Sequence, residues 1–115
     1  MNAHSRYWFR AGYFDDIPQR GAIRVQHGQL RIAVFRTVND DVFALEDKCP
    51  HKGGPLSAGI VHNNCVTCPL HNWDISLETG EALGADDGRT SKFKVKLDDG
   101  VVMLCIEEPV HLTTL

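Results

Sequence analysis

Long hydrophobic runs are missing from this chain. The longest clearly apolar stretch is VVMLCI, residues 101–106, far short of the roughly 20 residues that a membrane-spanning helix needs. No membrane association is expected. The opening MNAHSRYWFR lacks the apolar centre of a secretory signal, so a cytoplasmic protein is expected. A basic cluster is missing too: the 12 Lys and Arg residues are scattered, and against 15 Asp and Glu they leave a formal net charge of -3. A nucleic-acid partner needs concentrated basic surface and is therefore not expected. Walker and dinucleotide-type glycine motifs are absent, so a nicotinamide nucleotide must bind elsewhere. Nothing in the 115 residues repeats, is low in complexity or reads as a linker. A single domain over residues 1–115 is expected.

Also lacking is any 3.6-residue apolar stripe of useful length. Period-two segments cut by turn residues stand in its place. They predict an all-β fold with strands at 7–11, 22–26, 30–37, 42–46, 60–62, 65–67, 73–76, 92–97 and 101–106. His27-Gly28, Asn63-Asn64 and Asp99-Gly100 are candidate two-residue hairpin turns, since Gly and Asn accept the positive φ required there. In KFKVKL, residues 92–97, charged and apolar positions alternate. That pattern places Phe93, Val95 and Leu97 on a buried face.

What the chain does have is four cysteines and six histidines. Without an export signal, the cysteines read as metal ligands or reduced thiols in preference to a disulfide framework. CPHKGGPL, residues 49–56, offers Cys49 and His51, and CPLHNW, residues 68–73, offers Cys68 and His71. The intervening GIVHNNCVT reads as a hairpin that sets the two loops side by side. Two metal readings fit four such ligands. Zinc takes two Cys and two His in a tetrahedron, whereas a Rieske-type [2Fe-2S] cluster holds both thiolates on one iron and both imidazoles on the other. Spacing favours the second, because the single residue between Cys49 and His51 is tight for chelating one ion. Gly53 and Gly54 suit it as well, letting backbone N–H groups approach the sulfides. A structural zinc module or a cluster-less binding module stays as an alternative.

The two segments resemble the two-loop signature of Rieske proteins. Residues 49–88, from CPHKGGPLSAGIVH through VTCPLHNWDISLETGEALGADDG, are similar to the cluster-bearing small subunit of assimilatory NAD(P)H-dependent nitrite reductase. The resemblance implies small antiparallel sheets with two cluster-binding loops at one end. Cys49 and Cys68 would hold one iron, and His51 and His71 the other, solvent-facing one. Lys52, Gly53, Gly54, Leu70 and Trp73 would be the cofactor-binding loop residues beside them. It implies an electron-transfer oxidoreductase component that is not catalytic alone. Its partner, the nitrite reductase large subunit, carries FAD, a [4Fe-4S] cluster and sirohaem and reduces nitrite to ammonium in nitrate assimilation. The alternative with the same loops is a free Rieske ferredoxin feeding an aromatic-ring dioxygenase.

Other residues take plainer roles. Cys65 and Cys68 are spaced C-x-x-C, but along a strand residues i and i+3 face opposite ways; Cys65 is expected to be a small core residue, as is Cys105. His62 is expected to be solvated near a hairpin tip, and His4, His27 and His111 to have no role. Trp73 either caps the core or shields the sulfides from water. The acidic pairs at 40–41, 86–87 and 98–99 are first of all turn residues; together they could present an acidic face to a basic partner. The segment ALGADDGRT is a candidate third loop near the cluster, and it lacks a covering proline.

Charge and missing donors predict the redox behaviour. With two thiolates and two neutral imidazoles the oxidised cluster is neutral, whereas four thiolates leave it doubly negative, so histidine ligation raises the potential to about -150 to +300 mV. By the resemblance, the bracing cysteines of high-potential Rieske proteins fall at Gly54 and Leu70, and their hydroxyl donors to sulfur at Trp73 and Ile75. Fewer donors stabilise the reduced state less. Voltammetry should place the midpoint near the low end of that range, and a value well above zero would overturn the argument.

Overall fold

The computed structural model describes residues 2–50, 53–70, 72–84 and 88–111, apart from the side chains of 2–5 and 107–111. The chain forms β1 (Asn2–Tyr13), β2 (Gly21–His27), β3 (Leu30–Arg36), β4 (Val42–Glu46), β5 (Ile60–His62), β6 (Cys65–Thr67), β7 (Asp74–Ser76), β8 (Lys92–Asp98) and β9 (Val101–His111), with single 3-10 turns at Phe14–Asp16 and Leu56–Ala58. The all-β expectation holds. Six strands make one sheet in the order β1-β9-β8-β4-β3-β2, and β5-β6-β7 make a second, small one. Every pairing is antiparallel.

The large sheet curls until side chains of its two edge strands meet. Tyr7 Oη of β1 lies 2.7 Å from His27 Nε2 of β2, and the Phe9 ring stacks on His27 at 4.1 Å. Such closure covers edges that would otherwise be open to pairing with another chain. His27, expected to have no role, is therefore a structural joint.

Two cores follow from this shape. Ile17, Ile32, Val34, Ala44, Val102, Leu104 and Ile106 form one, with Phe9, Ala11, Ile23, Val25, Phe93 and Val95 packed around them. All six strands of the large sheet contribute, as the interior of a curled sheet requires. Ala33, Phe35, Leu45, Leu56, Val61, Val66, Ile75 and Leu77 form the other, which joins the large sheet to the small one. Strand β3 serves both. Ile32 and Val34 point into the first core and Ala33 and Phe35 into the second, all four fully buried, which explains its near-continuous apolar sequence.

The differences from the sequence reading have local causes. β1 and β9 run past their expected ends because they pair with each other from Asn2↔His111 to Tyr13↔Val101, with one bulge between Arg10 and Gly12. Turns stand at 63–64 and 99–100 as expected, closed by His62↔Cys65 and Asp98↔Val101. In the first hairpin, however, His27 pairs with Leu30, so the turn is Gly28-Gln29, one residue later than expected. His27 is held in the strand by Tyr7 and Phe9. Phe93 and Val95 are half-buried, but Leu97, which the alternation places on the same face, is 48% exposed. β4 pairs with β8 only at Phe93 and Lys92, and nothing covers Leu97 beyond that point.

Phe35 is completely buried where the two sheets pack. Phe35→Ala should cost about 3–5 kcal/mol by urea unfolding, enough to separate the small sheet from the large one; a loss under about 1 kcal/mol would contradict the two-core description.

Candidate metal centre

The chain leaves β4 for the first cysteine loop and β6 for the second. In the first, Cys49 N–H donates to the Gly54 carbonyl at 2.7 Å, and in the second Cys68 N–H donates to the Trp73 carbonyl, also at 2.7 Å. Each cysteine thus opens a six-residue loop closed by its own N–H five residues on. The fifth residue of each loop is left-handed, Gly53 at φ 72 and Asn72 at φ 58. Gly and Asn are the residues that adopt this conformation most readily. Pro50 and Pro69 follow the cysteines in both. The twin pattern C-P-x-x-[G/N]-x is present in the sequence, with Asn72 taking in the second loop the place that Gly53 takes in the first.

The loops bring their cysteines together. Cys49 and Cys68 are 1% and 0% exposed, both are free thiols, and their side chains hydrogen-bond to each other. Burial pushes the Cys68 thiol up to about 11, with the bond to Cys49 acting in the same direction. Two buried thiols facing each other, with no disulfide between them, match a donor set that metal ions claim by displacing thiol protons. Gly54 makes the approach possible: a Cβ there would lie 2.7 Å from Leu70 Cδ1 and 3.7 Å from Cys68 Sγ. Trp73 packs, half-buried, on the core that contains both cysteines, which is the capping role. Gly88 lies behind, where a Cβ would come within 3.2 Å of Pro50 Cβ and 3.8 Å of Trp73 Cζ3. The third segment therefore does reach the loops. His51, Lys52, His71, Asp86 and Asp87 lie outside the described residues; the histidines are the third residue of the first loop and the fourth of the second.

Each loop is clipped at its neck by a carboxylate and a hydroxyl. Asp47 Oδ1 accepts the Ser57 N–H and Oδ2 the Ser57 hydroxyl, both at 2.7 Å. Arg24 Nε adds a 3.0 Å bond to Ser57 Oγ. Across the second loop the Thr67 hydroxyl donates to Asp74 Oδ1 at 2.5 Å. Its one proton is then spent, so His62 Nε2–H donates to Thr67 Oγ1 at 2.7 Å. His62 is therefore part of the clip, where the sequence suggested a solvated residue. Cys65 pairs with His62 and Ser76 and is half-buried, less enclosed than expected; burial raises its pKa, as do the charges of Asp74 and Glu78. Cys105 is buried as expected.

A small β domain presenting two buried thiols on twin loops defines a cysteine-ligated metal or cluster protein. The chain belongs to the Rieske-like [2Fe-2S] domain family, whose model matches residues 7–105. Its cofactor is a Rieske-type [2Fe-2S] cluster, and its role is electron transfer within oxidoreductase systems. The anthranilate 1,2-dioxygenase ferredoxin subunit of Burkholderia cepacia is 40% identical over 73 residues, 64% of this chain and 67% of that protein. The ferredoxin component of the naphthalene 1,2-dioxygenase/salicylate 5-hydroxylase systems of a Ralstonia species is 30% identical over 101 residues, 87% of this chain and 96% of its own. A solved structure assigned as an NADPH nitrite reductase small subunit superposes with a TM-score of 0.77 at 26% identity, covering 85% of this chain and 97% of that one.

The Asp47 side chain is only 4% exposed. Asp47→Ala strands the Ser57 donors and should cost about 1–3 kcal/mol. Iron should also pass to a ferrous chelator faster than from the wild type, with Asp98→Ala as an unaffected control. Equal release rates would rule the clip out as a brace for the loop.

Proposed function

We propose that this chain is the electron-transfer small subunit of an NAD(P)H-dependent nitrite reductase, folded as one domain over residues 1–115. Cys49 and Cys68 bind one iron and His51 and His71 the other, with Lys52, Gly53, Gly54, Leu70 and Trp73 around them. When bound, the cluster supplies reversible one-electron storage. The protein's part is to hold and shield it. The twin loops fix the thiolates, Leu70 and Trp73 limit water, and the clips keep the necks from opening. Nitrite reduction itself belongs to the large subunit with its FAD, [4Fe-4S] cluster and sirohaem, in the cytoplasm. Among the described residues no helix is long and apolar enough to cross a membrane.

The observation that carries this reading is the similarity to nitrite reductase small subunits along residues 49–88, supported by a superposition that spans nearly the whole of one such protein. A second reading, a ferredoxin serving an aromatic-ring dioxygenase, is favoured by the identities to dioxygenase ferredoxins. The cluster geometry is the same in both, so the partner decides between them. Anaerobic affinity purification of the chain from its host grown on nitrate should recover a sirohaem-bearing flavoprotein. Recovery of an oxygenase or a lone ferredoxin reductase instead would establish the second reading.

A further inference from the structure

Beside the first cysteine loop lies a hollow of about 450 Å³, walled by Arg24, Gln26, Arg31, Asp47, Gly53 and Pro55. Two of these residues, Gly53 and Pro55, belong to the loop region itself, so whatever fills the hollow touches the segment that carries Cys49. Its charge is unbalanced. Asp47 is the single carboxylate in the wall; it accepts from Ser57 through both oxygens and also pairs with Arg24 at 3.8 Å, so Arg31 is the wall cation left without a counter-charge. Arg24 touches Ser57 through Nε, yet its side chain is 70% exposed. Arg31 is exposed and forms no ion pair with any described residue. At the rim, the Lys48 stem lies against Gly53, its Cε 3.8 Å from where a Cβ on that glycine would sit.

The overall charge of -3 points the other way, and distance decides between the two. The exposed aspartates 15, 16, 40, 41, 98 and 99 sit in the turns at the opposite end of the large sheet. Along β3 (Leu30–Arg36), Arg31 beside the hollow and Arg36 beside Asp40 stand five residues apart. At about 3.3 Å per residue that is roughly 16 Å, more than one screening length of about 10 Å at 0.1 M salt. A partner seated at the hollow beside the first loop therefore meets Arg24, Arg31 and Lys48, and the distal acids are largely screened. The lysines of β8 do not line the hollow. Guanidinium pairs are suited to carboxylates, which they hold through paired N–H donors.

We propose that the electron-transfer partner docks at this hollow through an acidic surface, seating a carboxylate side chain between Arg24 and Arg31. This replaces the sequence-based idea of an acidic face meeting a basic partner. It holds whether the partner is a nitrite reductase large subunit or a dioxygenase component.

Binding of a fluorescein-labelled hexaglutamate peptide to the cluster-loaded protein, read by anisotropy at about 20 mM ionic strength, tests it without any redox assay. Arg31→Glu is the clean variant, because Arg24 also holds Ser57. It should weaken binding about tenfold or more, whereas Asp98→Lys at the far end should change it less than about twofold, and salt near 0.2 M should weaken the wild type. Three results would overturn the proposal: no binding by the wild type, an Arg31→Glu variant that binds within about twofold of it, or displacement of the peptide by acetate at equal carboxylate concentration. The last would make the hollow a site for small anions and not a docking surface.

Discussion

Two thiols that are both buried and within hydrogen-bond reach have to be brought together by segments that start from different sheets. The first cysteine loop leaves β4 of the large sheet and the second lies between β6 and β7 of the small one. The separation of Cys49 and Cys68 is therefore set by how the sheets pack, through Ala33, Phe35 and Leu45 on one side and Val61, Val66 and Ile75 on the other. Magnitudes support this order of causes. Each fully buried Leu, Ile or Phe contributes about 1.5–3 kcal/mol, and a neutral hydrogen bond about 0.5–1.5 kcal/mol net. Packing fixes the relative placement of the sheets, and the clips trim the last freedom at the loop necks.

Within that frame the loops solve one problem twice. Both need a backbone that turns back on the cysteine N–H, and both meet it with a left-handed fifth residue, Gly53 in one and Asn72 in the other. What differs is the histidine, one place later in the second loop. Two loops closed by the same cysteine N–H bond, each with a left-handed fifth residue, offer their thiols as a pair, and in the sequence the histidines sit one place apart within them.

Much of this was legible because it depends on short-range chemistry. Alternation and turn residues located all nine strands, and β3 stood out because burial on both faces removes polar positions. What the sequence hid depends on meetings between distant residues. Leu97 obeys the alternation of its strand but outruns the strand that should cover it. His27 is drawn into β2 by Tyr7 and Phe9, some 20 residues earlier, and this moves the turn by one position. His62 reads as a surface residue until Thr67 and Asp74 are brought beside it by the β5-β6-β7 pairing. The ligand cysteines were legible for the opposite reason, since their chemistry is carried in two short segments and needs only one hairpin between them.

The absence of a brace between the loops then takes on a physical meaning. Gly54 and Leu70, where a disulfide would stand in high-potential relatives by the resemblance, are in contact: the methyl end of Leu70 occupies the space a Cβ on Gly54 would need. An apolar contact of this kind can hold the loops in a reducing compartment, where a disulfide would not persist. It also depends on the fold around it, because Leu70 is 44% exposed and gains little from burial on its own. The burden passes to Asp47 with Ser57 and to Thr67 with Asp74. These clips close each loop at its base.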